Sequence, residues 1–154
     1  MAINFFEEGI NAKLKQRRRI KQWVNEIAAA KGFRIQSLNY VFCSDDYLYN
    51  INLTYLKHDT YTDIITFDQS EREGVLEGDI FISVDRVTDN ASKQGERYGT
   101  ELLRVIAHGL LHLCGHKDKT SSEKQRMRNE EDIALARYST LTVPRGTPKN
   151  QNQN

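Results

Sequence analysis

Two histidines stand four residues apart in the stretch HGLLHLCGHKD, which spans residues 108–118. Residues 100–114 are predicted to form a helix. Side chains at i and i+4 lie on one helical face, with Cβ atoms about 5–6 Å apart. The imidazoles of His108 and His112 can therefore bind one metal ion from the same side.

A glycine and two further ligand types follow this helix. Gly115 can adopt a positive φ, so the helix can end there and the chain can fold back. The return would bring a third ligand, His116 or Asp118, to the ion. Two histidines with one nearby group leave a coordination position open, which is typical of a catalytic zinc site and not of a closed structural one. We predict one Zn²⁺ ion here.

The alternative interpretation is structural. Apolar residues surround the helix on all sides, which is typical of a buried helix, and buried histidines often serve only as hydrogen-bonded core residues. The spacing, the glycine and the acid together favour the metal site. The glutamate base of the zinc-protease motif H-E-x-x-H is replaced by Gly109, which weighs against peptide hydrolysis. A helical glycine costs about 1 kcal/mol relative to alanine, so either a substrate or a neighbouring strand must approach the backbone closely there.

Length and composition favour one globular domain. The chain has 154 residues, a net charge of +1 and 38% hydrophobic residues, so any nucleic-acid contact must come from a local patch. We predict a single domain over residues 1–140 and a disordered polar tail over residues 141–154. We expect no signal peptide and no membrane span. The two cysteines are too few for a disulfide framework, and a cytoplasmic location is expected.

Apolar periodicity predicts an α+β protein. About four strands should form a sheet packed around the buried central helix that carries the histidines, with flanking helices and a zincin-like helix geometry. Strands are predicted at residues 3–6, 35–43, 63–67 and 78–83. Helices are predicted at residues 12–30, 84–94, 100–114 and 121–138, and a further helix through residues 48–56 is capped by the Ser-Asp-Asp run at residues 44–46. Thr100 is the predicted N-cap of helix 100–114, and a Thr120 to Glu123 capping box precedes the last helix.

The first helix is rich in cations. Six of them are concentrated near its start, namely Lys13, Lys15, Arg17, Arg18, Arg19 and Lys21. They form either a solvated face or a track for a phosphate backbone. The sequence leaves both interpretations open.

The histidine motif, together with TDIITF at residues 62–67 and GDIFI at residues 78–82, resembles the YbeY family of endoribonucleases, the rRNA maturation factors. The family pattern runs H-G-x-L-H-L-x-G-Y-D-H. The resemblance covers most of the chain and implies an α+β fold with zinc held by three side chains. It also implies cleavage of single-stranded RNA, maturation of the 3′ end of small-subunit rRNA and ribosome quality control, with rRNA and the small ribosomal subunit as partners.

The chain departs from this pattern at two places. The family's third histidine corresponds to Asp118, and its tyrosine corresponds to His116. Position favours Asp118 and ligand type favours His116; we predict Asp118, because the turn geometry should be shared. The family's arginine after Tyr55 is replaced by Leu56, and the neighbouring Lys57 is expected to supply a point charge to the phosphate in place of a bidentate grip.

The resulting prediction is a zinc-dependent endoribonuclease. Its metal ligands are His108, His112 and Asp118, and its catalytic residues are His108 and Lys57. The attacking oxygen comes either from a metal-activated water or from the ribose 2′-OH. Asp63 and Asp79 either line the cleft or cap strands and orient ligands. The alternatives are a non-catalytic ribosome-assembly factor with a structural zinc and, less favoured, a small zinc peptidase.

Overall fold

The computed structural model describes residues 2–142 and confirms the α+β class. The elements in chain order are β1 (Ala2–Glu8), α1 (Arg17–Ala30), β2 (Arg34–Cys43), α2 (Asp45–Leu56), β3 (Ile64–Asp68), β4 (Val75–Ser83), α3 (Val84–Gln94), α4 (Tyr98–Leu113) and α5 (Ser121–Thr140). The predicted disordered tail comprises residues 141–154, of which residues 143–154 lie outside the described residues. Within residues 2–142, no helix combines the length and the apolarity needed to cross a bilayer.

Four strands form one mixed sheet in the order β1-β2-β4-β3. The strands β1, β2 and β4 run parallel, and β3 pairs antiparallel with β4 at one edge. The strand β4 begins at Val75, three residues before the predicted Gly78, because residues 75–77 continue its pairing with β2. The central pair β2–β4 therefore joins segments that are distant in the chain.

The two faces of the sheet are covered unequally. Alternate residues such as Tyr40 and Ile80 are fully buried under the helices α1, α4 and α5. The hydroxyl of Tyr40 donates to the carbonyl of Ile106 on α4, at 3.0 Å, which anchors that helix to the centre of the sheet. The opposite face has a smaller cluster around Leu48 of α2. The main core thus lies on the side that carries α4.

The helix α4 begins earlier than predicted. Its N-cap is Arg97 and not Thr100. The first turn is fixed by tertiary contacts, since the hydroxyl of Tyr98 donates to the carbonyl of Ala12 at 2.6 Å and its ring packs against the core. Ten of its sixteen residues are buried, as the apolar pattern indicated.

The helix α1 begins later than predicted, at Arg17. The backbone N–H of Ala12 donates to the carboxylate of Glu7 at 2.7 Å, and Lys13 and Gln16 have positive φ angles of 54° and 57°. That path cannot be helical, so the first two of the six cations lie outside α1. Arg19 is also engaged within the fold, because its guanidinium donates to the carbonyl of Tyr138 on α5.

The helix α5 closes the structure against α1 and α4. The predicted capping box is present: the Thr120 hydroxyl accepts from the N–H of Glu123, and the Glu123 carboxylate accepts from the N–H of Thr120. The indole N–H of Trp23 on α1 donates to the carbonyl of Ala134 at 2.7 Å. The first and last helices are therefore joined directly.

Candidate metal centre

The chain reverses direction immediately after α4. Gly115 has a φ of +101°, and its N–H donates to the carbonyl of His112 at 3.0 Å. The N–H of His116 donates to the carbonyl of Leu111 at 3.0 Å, so both bonds cap the end of the helix. The predicted glycine turn is confirmed, and it brings Asp118 back over the last turns of α4.

His108, His112 and Asp118 form one cluster that could hold a metal ion. The distances from Asp118 Oδ2 are 3.2 Å to His108 Nε2 and 3.3 Å to His112 Nε2. Ligand atoms bound to tetrahedral zinc at about 2.0–2.2 Å are themselves about 3.3–3.6 Å apart. Both distances from Asp118 are close to this spacing and the donor types are ones that zinc accepts, so the residues fit a divalent metal ion of this kind. They are the only such group within residues 2–142.

A buried carboxylate on α5 contacts His108 at the ring nitrogen that does not face Asp118. Glu131 is only 6% exposed, and its Oε2 lies 2.6 Å from His108 Nδ1. Burial opposes protonation of His108, but the hydrogen bond to Glu131 and the charges of Glu131 and Asp118 outweigh it and raise the pKa of His108. Sequence reasoning missed Glu131. The sequence did contain a signal for it: Glu131 stands four residues after Met127, and both lie on the face of α5 that is buried.

His116 lies apart from the cluster. It lines a polar surface depression with Lys117, Ser122, Glu123 and Arg126. Burial and the positive charge of Lys31 lower its pKa. Of the two candidates for a third ligand, the structure brings Asp118 and not His116 to the pair of histidines.

Gly109 packs against the sheet. A Cβ atom placed there would lie 2.9 Å from both Ile64 Cδ1 and Ile80 Cγ2. Of the two explanations for a glycine inside α4, the geometry therefore supports close packing against neighbouring strands.

The remaining predicted residues are not part of the cluster. Lys57 is the exposed C-cap of α2, with a φ of 60°, and makes no ion pair within the described part of the chain. Leu56 is 38% exposed. Asp63 immediately precedes β3, and its charge contributes to the raised pKa of His108. Asp79 accepts a hydrogen bond from Asn39 on the face of the sheet opposite to α4.

Fold and site together define a class of protein: an α+β domain in which a buried helix and the turn after it present a His-His-Asp cluster able to bind a metal ion. The family model described as Endoribonuclease YbeY matches residues 3–139. The chain belongs to this family, as the motifs indicated.

Relatives agree with that assignment, and a solved structure shows the same fold. The chain is 55% identical over 134 residues to "Endoribonuclease YbeY" of Cytophaga hutchinsonii, which covers 87% of this chain and 94% of the relative. It is 43% identical over 136 residues to the protein of the same name from Bacteroides thetaiotaomicron, with 88% and 98% covered. The solution structure of TM1509 from Thermotoga maritima has the same fold, with a TM-score of 0.62, 23% identity and coverage of 95% and 97%.

Proposed function

We propose that this chain is a zinc-dependent endoribonuclease that cuts single-stranded RNA in the cytoplasm. Its substrates are rRNA precursors, at the 3′ end of the small-subunit rRNA, and rRNA of defective ribosomes. The observation that carries the proposal is the His108, His112 and Asp118 cluster in a chain that belongs to a family of endoribonucleases.

The side chains of the cluster have distinct roles in this proposal. His108 and His112 provide neutral nitrogen donors from α4, and Asp118 provides one negative charge. Zinc held by these side chains would polarise a phosphoryl oxygen and would lower the pKa of a water molecule toward neutrality. Because Asp118 is anionic, the loaded centre attracts a phosphate less strongly than three imidazoles would. The phosphodiester therefore needs positive charge from elsewhere in the chain.

We assign that charge to Lys57. It is exposed and free of internal ion pairs within residues 2–142, so its ammonium group can bind an RNA phosphate as a point charge. Lys57→Ala should raise KM for RNA more than it lowers kcat, and should reduce the salt dependence of binding. Leu56→Arg, which supplies the family's bidentate cation at its own position, should lower KM.

The test is cleavage of a labelled single-stranded RNA by the purified full-length protein. The zinc-loaded wild type should cut it, and should lose activity in a chelator and recover it when zinc is restored. The same sequence in a perfect duplex should remain intact. His112→Ala should still bind the RNA but leave it uncut.

His116→Ala is the matched control, because it removes a nearby imidazole that lies outside the cluster. It should cut RNA at the wild-type rate. A wild type that binds RNA without cutting it would identify a non-catalytic assembly factor. Undiminished cleavage by His112→Ala would show that the proposed centre is not the site of the reaction.

A further inference from the structure

Both ring nitrogens of His108 have partners, and the two partners are chemically different. Nε2 points into the metal cluster, 3.2 Å from Asp118 Oδ2. Nδ1 lies 2.6 Å from Oε2 of Glu131, a buried carboxylate on α5. Asp118 is partly exposed, whereas Glu131 has almost no access to water. The imidazole of His108 therefore lies between a partly exposed carboxylate at the metal cluster and a buried carboxylate on α5.

This contact determines which nitrogen carries the proton in the neutral ring. An ionised carboxylate only accepts hydrogen bonds, and a neutral imidazole has one N–H and one lone pair. With Glu131 at 2.6 Å, the N–H must be at Nδ1. The lone pair is then at Nε2, directed toward His112 and Asp118, as a metal ligand requires.

Glu131 is itself held in place by α4. Its second oxygen, Oε1, accepts from Arg104 Nη1 at 3.1 Å, and the same Nη1 lies 2.9 Å from Asp132 Oδ1. Arg104 is only 9% exposed and precedes His108 by four residues, so it lies one helical turn away. Because both oxygens of Glu131 are bonded to α4, the carboxylate cannot rotate away from the imidazole.

We infer that Glu131 is a positioning residue of the metal centre, and that Arg104 orients it. This inference rests on the proposed metal site but not on the identity of the RNA substrate. Carboxylate partners of metal-bound histidines raise ligand basicity and fix the tautomer, and their loss costs about 10- to 100-fold in metal affinity. The metal site thus extends from α4 to the last helix.

The first test compares Glu131→Ala with Glu130→Ala. Zinc affinity of the full-length protein is measured by competition with a chromophoric chelator, and thermal unfolding of the metal-free protein checks that each variant folds. Glu130 is the adjacent acid on α5, and its carboxylate pairs with Lys31 at 2.6 Å and with no residue of the cluster. Glu131→Ala should bind zinc about 10- to 100-fold more weakly, and Glu130→Ala should bind it like the wild type.

A second test separates positioning from simple support of the fold. In Glu131→Gln, the N–H groups of His108 and Arg104 compete for one carbonyl oxygen. When the amide NH₂ faces His108, the proton moves to Nε2 and blocks the metal position. Adding Arg104→Gln removes the competing donor and supplies an acceptor for the NH₂ group. The double variant should therefore bind zinc more tightly than Glu131→Gln alone, although it loses one more charge of the buried pair.

The outcomes are distinct. Wild-type zinc affinity in folded Glu131→Ala overturns the inference and leaves the proposed metal site intact. Equal or weaker binding by the double variant than by Glu131→Gln also overturns it, because a purely structural role predicts additive damage. If Glu131→Ala does not fold, the comparison of the two glutamine variants decides. Absence of zinc binding by the wild type would overturn this inference together with the proposed function.

Discussion

At the scale of single residues, the unusual member of the cluster is Asp118. Carboxylate oxygens and imidazole nitrogens are both zinc ligands, but a carboxylate adds a negative charge. The side chain is 36% exposed, so its charge is partly solvated. The backbone reversal at Gly115 brings its carboxylate close to both histidines, and this proximity supports our prediction of Asp118 as the third ligand.

The ligand assignment predicts the metal content of two variants. Asp118→Ala removes one of three protein ligands and should lose stoichiometric zinc, whereas His116→Ala should retain it because His116 faces another depression. Elemental analysis of the purified proteins measures the difference. Zinc retained by Asp118→Ala but lost by His116→Ala would reverse the assignment.

A second residue-scale prediction concerns Glu101, which is 4% exposed and has an Oε1 without a hydrogen-bond partner. Burial raises its pKa, although Arg104 and Arg128 oppose the shift. A raised folded-state pKa means that Glu101 favours folding most at low pH, and that this contribution is lost as pH rises from the unfolded value through the folded one. Glu101→Gln should therefore raise the melting temperature at pH 7 more than at pH 4.

The control for this prediction is Glu71→Gln, at an exposed position in the β3–β4 connection. It should change the melting temperature little at either pH, because a solvated carboxylate has no burial penalty to relieve. Differential scanning calorimetry of the metal-free proteins measures both pairs. A Glu101→Gln variant that is less stable than wild type at pH 7 would mean that the attraction to Arg104 exceeds the cost of burial.

At the scale of elements, α4 can pack closely against the sheet because Gly109 has no side chain. Gly109→Ala gains up to about 1 kcal/mol of helix propensity, but its Cβ would lie 2.9 Å from two isoleucine side chains. Overpacking typically costs about 1–3 kcal/mol. Ile80 is fully buried and cannot move aside, so we expect a net loss of about 1 kcal/mol in the free energy of unfolding.

Gly99→Ala in the same helix provides the matched comparison. A Cβ atom there would have no neighbour within 4 Å, so the variant should keep or increase stability by a few tenths of a kcal/mol. Chemical denaturation of both proteins measures the two free energies. Equal effects of the two substitutions would contradict the packing explanation for Gly109.

Most elements were predictable because their signals are local. The β-branched and aromatic runs predicted all four strands, and the Thr120 capping box predicted the start of α5. The wrong predictions concern helix starts that are determined by contacts with residues distant in the sequence. Glu7 holds Ala12 outside α1, and the Tyr98 hydroxyl bonds to Ala12 and fixes the early start of α4. Glu131 was missed for the same reason, since its partner is on another helix.

At the scale of the whole molecule, metal binding should be linked to folding. We expect residues 1–140 to unfold in one cooperative transition, because the main core joins α1, α4 and α5 to one sheet. Zinc that binds only the folded state should raise the melting temperature with concentration. His112→Ala should abolish that shift, and calorimetry with and without zinc measures it. Two separate transitions would contradict the single-domain prediction.

The strand order could not be predicted from the sequence. The periodicity of β2 and β4 indicates burial but not which strand is the neighbour of which. The β2–β4 pairing depends on the path of α2 and β3, which stand between these strands in the chain, and the β1–β2 pairing depends on the path of α1. The grouping of the cluster, by contrast, was predictable from residues 108–118, because helical spacing places His108 beside His112 and the turn at Gly115 brings Asp118 back to them.

The position of Glu131 on the last helix has a consequence during translation. A nascent chain that has emerged only as far as Asp118 already carries all three ligands, but it lacks the carboxylate that orients His108 and the Ala134 carbonyl that binds Trp23. A fully ordered centre therefore cannot form before Glu131 has been synthesised and has packed against α4. We therefore expect a polypeptide that ends between Asp118 and Glu131 to bind zinc weakly and to show little of the proposed nuclease activity.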